Sequence, residues 1–225
     1  MVKHVSFWPT TYTDRYGQET TTLESDGTSL YMVLRGTLFE GSSFTSLCPK
    51  NEEDIPTLGS TFPLSRFGEL HACVFACELP LSLMVRGATE PGKLLVHFAV
   101  FDETRFLPRQ AAWDMWLELH VGDNTFRSSH GFFDFEERLN EIQAHLPKDT
   151  YLQACIHCAF SDYSPAGHGE FGDLWCFRSN KQGYRNVTSK WDLFRLMSQA
   201  QPEAVQETYL CPEFEKRKPG TGYRG

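Results

Sequence analysis

Apolar and polar positions alternate with a period of two through much of the first 130 residues. Between Thr28 and Arg35 the side chains of Leu30, Met32 and Leu34 fall on one face, as in a half-buried strand. Leu117, Leu119 and Val121 alternate in the same way with Glu118 and His120. Asp14-Arg15-Tyr16-Gly17 and Asp26-Gly27 are turn signals between Thr-, Tyr- and Val-rich runs, so residues 1–40 read as an N-terminal β-meander. A polar stretch, 41–65, reads as a connecting loop or lid and carries Glu52, Glu53 and Asp54. Strands are expected again over Leu70–Leu79, Leu81–Arg86, Lys93–Phe101 and Met115–Val121. Pro80, the Gly87–Gly92 stretch and Pro108 act as breakers, and Asp123-Asn124 as a hairpin turn.

The period then changes to that of a helix. Asp134 followed by Glu137 has capping-box spacing, and Phe135, Leu139, Ile142 and Leu146 form one apolar stripe behind it. A second helix is expected from Ser189, with Asp192 three residues on and Leu193, Phe194, Leu196 and Met197 before Pro202. The fold class is therefore α+β: an antiparallel, strand-rich body of meander or sandwich type with two amphipathic helices. Residues 66–150 form the strand-rich core with one helix and 151–225 a cysteine-bearing C-terminal module, the whole making one compact unit.

Composition narrows the function classes. Eighteen Phe, eight Tyr and five Trp supply the apolar surface that a disordered chain lacks. A net charge of −8 disfavours a general nucleic-acid-binding role, which depends on neutralising phosphates. No apolar run is long enough for a membrane helix. The opening Met1–Pro9 has no signal-peptide h-region, and seven cysteines are odd in number and too sparse for a disulfide scaffold. A cytoplasmic location follows as the expectation.

Four of those cysteines lie in the last third. Cys155-Ile156-His157-Cys158 can converge on one metal ion, and Cys176 with Cys211 would complete a tetrahedral four-thiolate zinc site. His157 and His168 are spare imidazoles that could replace one thiolate. Two other readings stay open: buried thiols acting as small hydrophobes, and redox chemistry. The Pro-bearing polar loop Phe160–Pro165 after the CxxC pair, with its carboxylate, argues against a reactive thiolate. Gly167-His168-Gly169-Glu170-Phe171-Gly172 has GxGxxG spacing but leads into a strand-like run, so it reads as loop glycines. Cys73 and Cys77 share one strand face and read as core, and Trp113, Trp116 and Trp175 as core or groove lining.

Cys155-x-x-Cys158-x-Phe160-Ser161-Asp162-Tyr163-Ser164-Pro165, then Phe171-Gly172, Cys176-Phe177-Arg178 and Lys181, carry a resemblance. Together with Glu207–Glu215, which contains Leu210-Cys211-Pro212-Glu213-Phe214, and the ending Gly220–Gly225, they resemble a family of bacterial proteins of unknown function. The resemblance implies a bacterial intracellular protein, of the kind found beside polymorphic toxins as immunity proteins. The expectation is a partner-binding protein with a structural zinc ion, its partner a protein and in one version a basic toxin. The competing expectation is a metal- or thiol-dependent enzyme using the Cys155–Cys158 loop.

Overall fold

The computed structural model describes residues 5–102, 112–132, 134–220 and 222–223. Pro108, the first four residues, and Thr221, Arg224 and Gly225 of the C-terminal signature lie outside them. The chain begins as the expected meander: β1 (Ser6–Asp14), β2 (Gly17–Ser25), β3 (Leu30–Leu34), β4 (Thr37–Gly41) and the short β5 (Cys48–Pro49). Two long strands follow, β6 (Cys73–Val85) and β7 (Ala88–Val100), then β8 (Trp113–Val121) and β9 (Asn124–Arg127). All are antiparallel, in the order β5-β4-β3-β2-β1-β6-β7-β8-β9, and β10 (Thr150–Leu152) adds to the free end of β6. The α+β class stands. Among the described residues no helix is long and apolar enough to cross a membrane.

Each expected alternation buries its apolar side. Leu30, Met32 and Leu34 are buried on β3, and Leu117 and Leu119 on β8. Two breakers behave differently from the sequence expectation. Val85 pairs with Ala88, so the hairpin turn is only Arg86-Gly87, both with positive φ (50° and 90°), and Thr89–Gly92 belong to β7. That is the twist a two-residue hairpin loop needs. Pro80 does not break β6. It lies between the stretch that pairs with β1 (74–77) and the stretch that pairs with β10 (83–85), where a missing N–H costs least. The turn before β9 is likewise Gly122-Asp123, one residue earlier than expected, since Val121 pairs with Asn124.

The inner face of the sheet is covered by one helix, by parts of the C-terminal segment and by the 41–65 stretch. That stretch carries a 3-10 turn at Phe44–Ser46, β5 and α1 (Ile55–Leu58), and it buries Phe44, Leu47 and Phe62 completely. Gly41 makes this possible, because a Cβ there would strike the Ser46 carbonyl. Phe44 lies 4.8 Å from Phe98, 5.2 Å from Phe75 and 5.2 Å from Phe171, ring centre to ring centre. Strand, connection and C-terminal segment thus share one aromatic centre. At the other end of the connection, Arg35 makes paired 2.8 Å bonds to Asp14 and also bonds the Thr61 carbonyl at 2.6 Å.

α2 (Phe135–His145) is capped by Asp134, whose carboxylate accepts from the Glu137 N–H at 3.1 Å, and buries Phe135, Leu139 and Ile142. Past β10 a second sheet forms from β11 (Ser161–Tyr163), β12 (Leu174–Cys176) and β13 (Glu203–Val205), in that order. Between β12 and β13 run α3 (Lys181–Arg185), which the periodicity did not announce, and α4 (Lys190–Gln199), which it did. Ser189 caps α4 by accepting from Asp192 N–H, and Leu193 and Leu196 are buried. Phe160, Phe177, Tyr184, Val187, Leu193 and Leu196 form a second, smaller core beside the main one.

Candidate functional site

The Cys155–Cys158 turn is built by the chain that returns past it. Cys155 N–H bonds the Tyr209 carbonyl (2.8 Å) and Ile156 N–H bonds the Glu207 carbonyl (2.9 Å), while Cys158 N–H closes back on the Cys155 carbonyl (2.9 Å). Cys158 also bridges to Lys216. Cys176 ends β12, paired with Ser161 on one side and Glu203 on the other. Cys211 follows two residues after Tyr209, so the segment that clamps the turn also delivers the fourth sulfur.

All four thiols are buried and free, and Cys155 lies near enough to feel the charges of the other three. Burial pushes the Cys155 thiol well above its usual range, and the charges of Cys176, Cys158 and Cys211 push it further. Burial also lifts Cys176, to about 11, against a backbone N–H of Arg178 that donates to its sulfur. Cys211 Sγ accepts from the Glu213 N–H at 3.3 Å and from the Arg178 guanidinium at 3.5 Å. At two of the four cysteines, then, the N–H two residues on points at the sulfur. Arg178 is itself raised by Cys211 and by Glu203, to which it is paired. Cys155, Cys176 and Cys211 belong to the main core and Cys158 to the smaller one, so the group sits on the seam between them.

Other candidates fall elsewhere. His157 Nε2 is 3.2 Å from Asn140 Oδ1, and His168 stacks on Tyr163 at 3.9 Å with its Nε2 3.8 Å from Asp134. Neither imidazole is turned to the sulfurs by these contacts. Among the described residues, no group of three or more His, Cys, Asp or Glu side chains is already arranged to hold a metal ion. Gly167 and Gly172 have positive φ in the loop before β12, and the Gly172 N–H donates to Glu207 at 2.8 Å. Cys73 and Cys77 are core: burial drives both thiols upward, Cys77 to about 12. Trp113 is buried, whereas Trp116 lies on the outer sheet face between His97 and His130, at 4.8 and 4.4 Å.

Sequence reasoning found the cysteines and missed their surroundings. A positive charge does stand beside the thiols, since Arg178 folds back two residues after Cys176; the Cys176-Phe177-Arg178 run was the available signal. Glu207 was also missed. It is fully enclosed, accepting from Tyr163 Oη (2.9 Å), Gly172 N–H and the Gln206 amide. Burial outweighs those donors and raises its carboxyl to about 7. No motif marks such a residue, because its environment comes from three separate segments. Beside the Cys155–Cys158 turn, α2 and the 216–217 segment enclose a cleft of about 330 Å³, into which Ile156 and His157 project but no cysteine does.

Comparison with known proteins gives one match. The model of a family of unknown function, DUF6304, matches residues 6–161. No curated protein and no solved structure matches the chain. The match covers the large sheet, α2 and β10, and it overlaps the C-terminal signature only over Cys155–Ser161. The part of the chain that the family defines is therefore the sheet body, and on that body this chain belongs to the DUF6304 family.

Proposed function

We propose that this chain is a partner-binding protein whose C-terminal segment is held by one structural zinc ion on Cys155, Cys158, Cys176 and Cys211. The observation that carries the reading is the gathering of four buried thiols from three separate stretches, two of them already accepting N–H bonds. Backbone N–H donors and a guanidinium favour anionic sulfur, yet burial without a metal keeps Cys155 and Cys176 protonated. Zinc resolves that conflict, because it binds the thiolate form and offsets most of its charge. Four thiolates around a dication leave two negative charges, and Arg178 is the cation in position to offset part of them. A metal would have to draw the four sulfurs inward from where they stand.

The enzyme reading is weaker at the same place. No sulfur lines the cleft beside the turn, and a thiol raised as Cys155 is makes a poor nucleophile at neutral pH. Partner binding is supported by the outer face of the large sheet, which carries exposed apolar side chains. Phe7, Val33, Leu38 and Val74 are exposed there, and Glu24, Glu40 and Glu78 lie on the same face by register. With a chain charge of −8, a basic protein is the partner of matching chemistry; a toxin neutralised by this chain is the instance that the C-terminal resemblance suggests. Seven free thiols suit a reducing cytoplasm.

The test is metal content and melting temperature of the untagged protein beside its Cys158→Ser variant. One zinc per chain is expected, with zinc and thermal stability lost together in the variant. A variant that loses zinc and keeps its melting temperature, or a parent that takes up none, refutes the structural zinc. For the partner, capture from the native cell should weaken as salt rises, since screening acts over about 8 Å at physiological ionic strength.

A further inference from the structure

The cleft beside the cysteine turn has a chemistry of its own. One wall is α2, presenting Glu136, Asn140 and Gln143, which recur at four and three and so share a helix face. Facing them are Tyr151 and Ile156, which supply apolar surface, and Lys216 with Arg217. Lys216 is placed there by the backbone: its segment pairs with 157–159, where Ala159 N–H bonds the Glu215 carbonyl (2.7 Å) and Arg217 N–H bonds the His157 carbonyl (3.0 Å).

Three donors in this cleft have no acceptor among the described residues. The Lys216 ammonium stands 3.9 Å over the Tyr151 ring and meets no carboxylate. The Tyr151 hydroxyl has no hydrogen bond. Asn140 uses its oxygen on His157 Nε2 (3.2 Å), which leaves its NH₂ pointing away without a partner. Gln143 is spent on Thr150 and Leu152, at 3.3 and 2.8 Å. Arg217 bonds Tyr184 Oη and the Ser161 carbonyl, so it adds positive potential more than a free donor. The acidic chain turns locally basic here. Twelve basic and twenty-one acidic residues precede Cys155, against nine and eight from Cys155 on, including Lys216-Arg217-Lys218.

We propose that this cleft is a binding site for a small organic anion, a phosphate ester or carboxylate with a ring body. Its acid group sits at Lys216 and the Asn140 amide, and its ring lies along Tyr151 and Ile156. Glu136 repels charge at the α2 end, which fixes the orientation and favours a ligand carrying a hydroxyl or amine there. A volume of about 330 Å³ is at the small end of ligand sites and fits a molecule of this size. The site uses no metal and is complete whether or not the cysteines bind zinc.

The experiment is an NMR titration of the full chain with phenyl phosphate, benzoate and inorganic phosphate, following the Asn140 amide and Tyr151 signals. Saturable shifts are expected with phenyl phosphate or benzoate, and the tighter of the two names the acid group. Lys216→Gln should weaken that binding by about tenfold or more, the usual worth of a charge-assisted hydrogen bond. Lys93→Gln, on β7 and exposed, should change nothing. No saturable shift with either ring-bearing probe overturns the proposal. So does unchanged affinity in Lys216→Gln, and so does inorganic phosphate binding as tightly as the ring-bearing probes.

Discussion

Changing Glu207 to Gln should remove much of the pH dependence of stability between pH 5 and pH 8. The carboxyl titrates near 4.5 when unfolded and at about 7 in the fold, because burial outweighs the donors that Tyr163 and Gly172 supply. Its folded pKa is raised, so the folded state binds the proton more tightly. The associated stability is complete below the unfolded value and is lost as pH rises through about 7. At about 1.4 kcal/mol per pH unit the loss amounts to roughly 3 kcal/mol, which for a chain of this size is about 6–12 °C in melting temperature. Gln keeps the acceptor for Tyr163 Oη and Gly172 N–H, and a half-turn of the Gln206 amide restores the third bond. The assay is thermal or urea unfolding of both proteins from pH 5 to pH 8. The parent should lose most of that 3 kcal/mol relative to the variant across the range. His97, whose pKa burial lowers, contributes equally to both proteins and drops out of the difference. Parallel curves would refute the reasoning, since they would mean that Glu207 ionises alike folded and unfolded.

Phe44→Ala should cost about 3–5 kcal/mol, measured by urea unfolding, because it empties the aromatic centre shared by Phe75, Phe98 and Phe171; a cost below 1 kcal/mol would show that the connection is not part of the core. Asp14→Asn should lose roughly 2–4 kcal/mol at pH 7, since it leaves the part-buried Arg35 guanidinium without its carboxylate. Burial alone would raise the Asp14 carboxyl, but bonds from Arg35, Tyr12 and the Tyr16 N–H hold it below its usual value. Its contribution is therefore present above about 4 and disappears as pH falls through the folded pKa, so the parent and variant should converge in acid. Among the seven thiols of native protein, Cys48, the one that is not buried, should alkylate first; early modification of Cys73 or Cys77 would contradict their place in the core.

Local pattern carried much of this architecture. The face shared by Leu30, Met32 and Leu34, the alternation around Glu118 and His120, and the stripes of α2 and α4 each reflect a period that one buried side imposes. Pro80 misled because a proline is harmful only where a ladder bond is required, and the gap between β1 and β10 is a property of the assembled sheet. Phe44 and Phe62 misled because a polar stretch can hold deeply buried rings, which no period announces. At the site, the CxxC spacing was readable since two cysteines on one tight turn lie close by construction. Arg178 and Glu207 were not, as their neighbours are up to 44 residues away in the chain.

The seam on which the four cysteines sit has a consequence for how the molecule breathes. The smaller core of Phe160, Phe177, Tyr184, Val187, Leu193 and Leu196 meets the main one along the line that Cys155, Cys158, Cys176 and Cys211 straddle. With the thiols unlinked, that line is a natural plane of partial opening. α3 and α4 could detach as a cooperative unit while the large sheet stays folded. Amides in 178–199 would then exchange with deuterium at a common free energy below that of β6 and β7, and anything that ties the cysteines together would merge the two values into one.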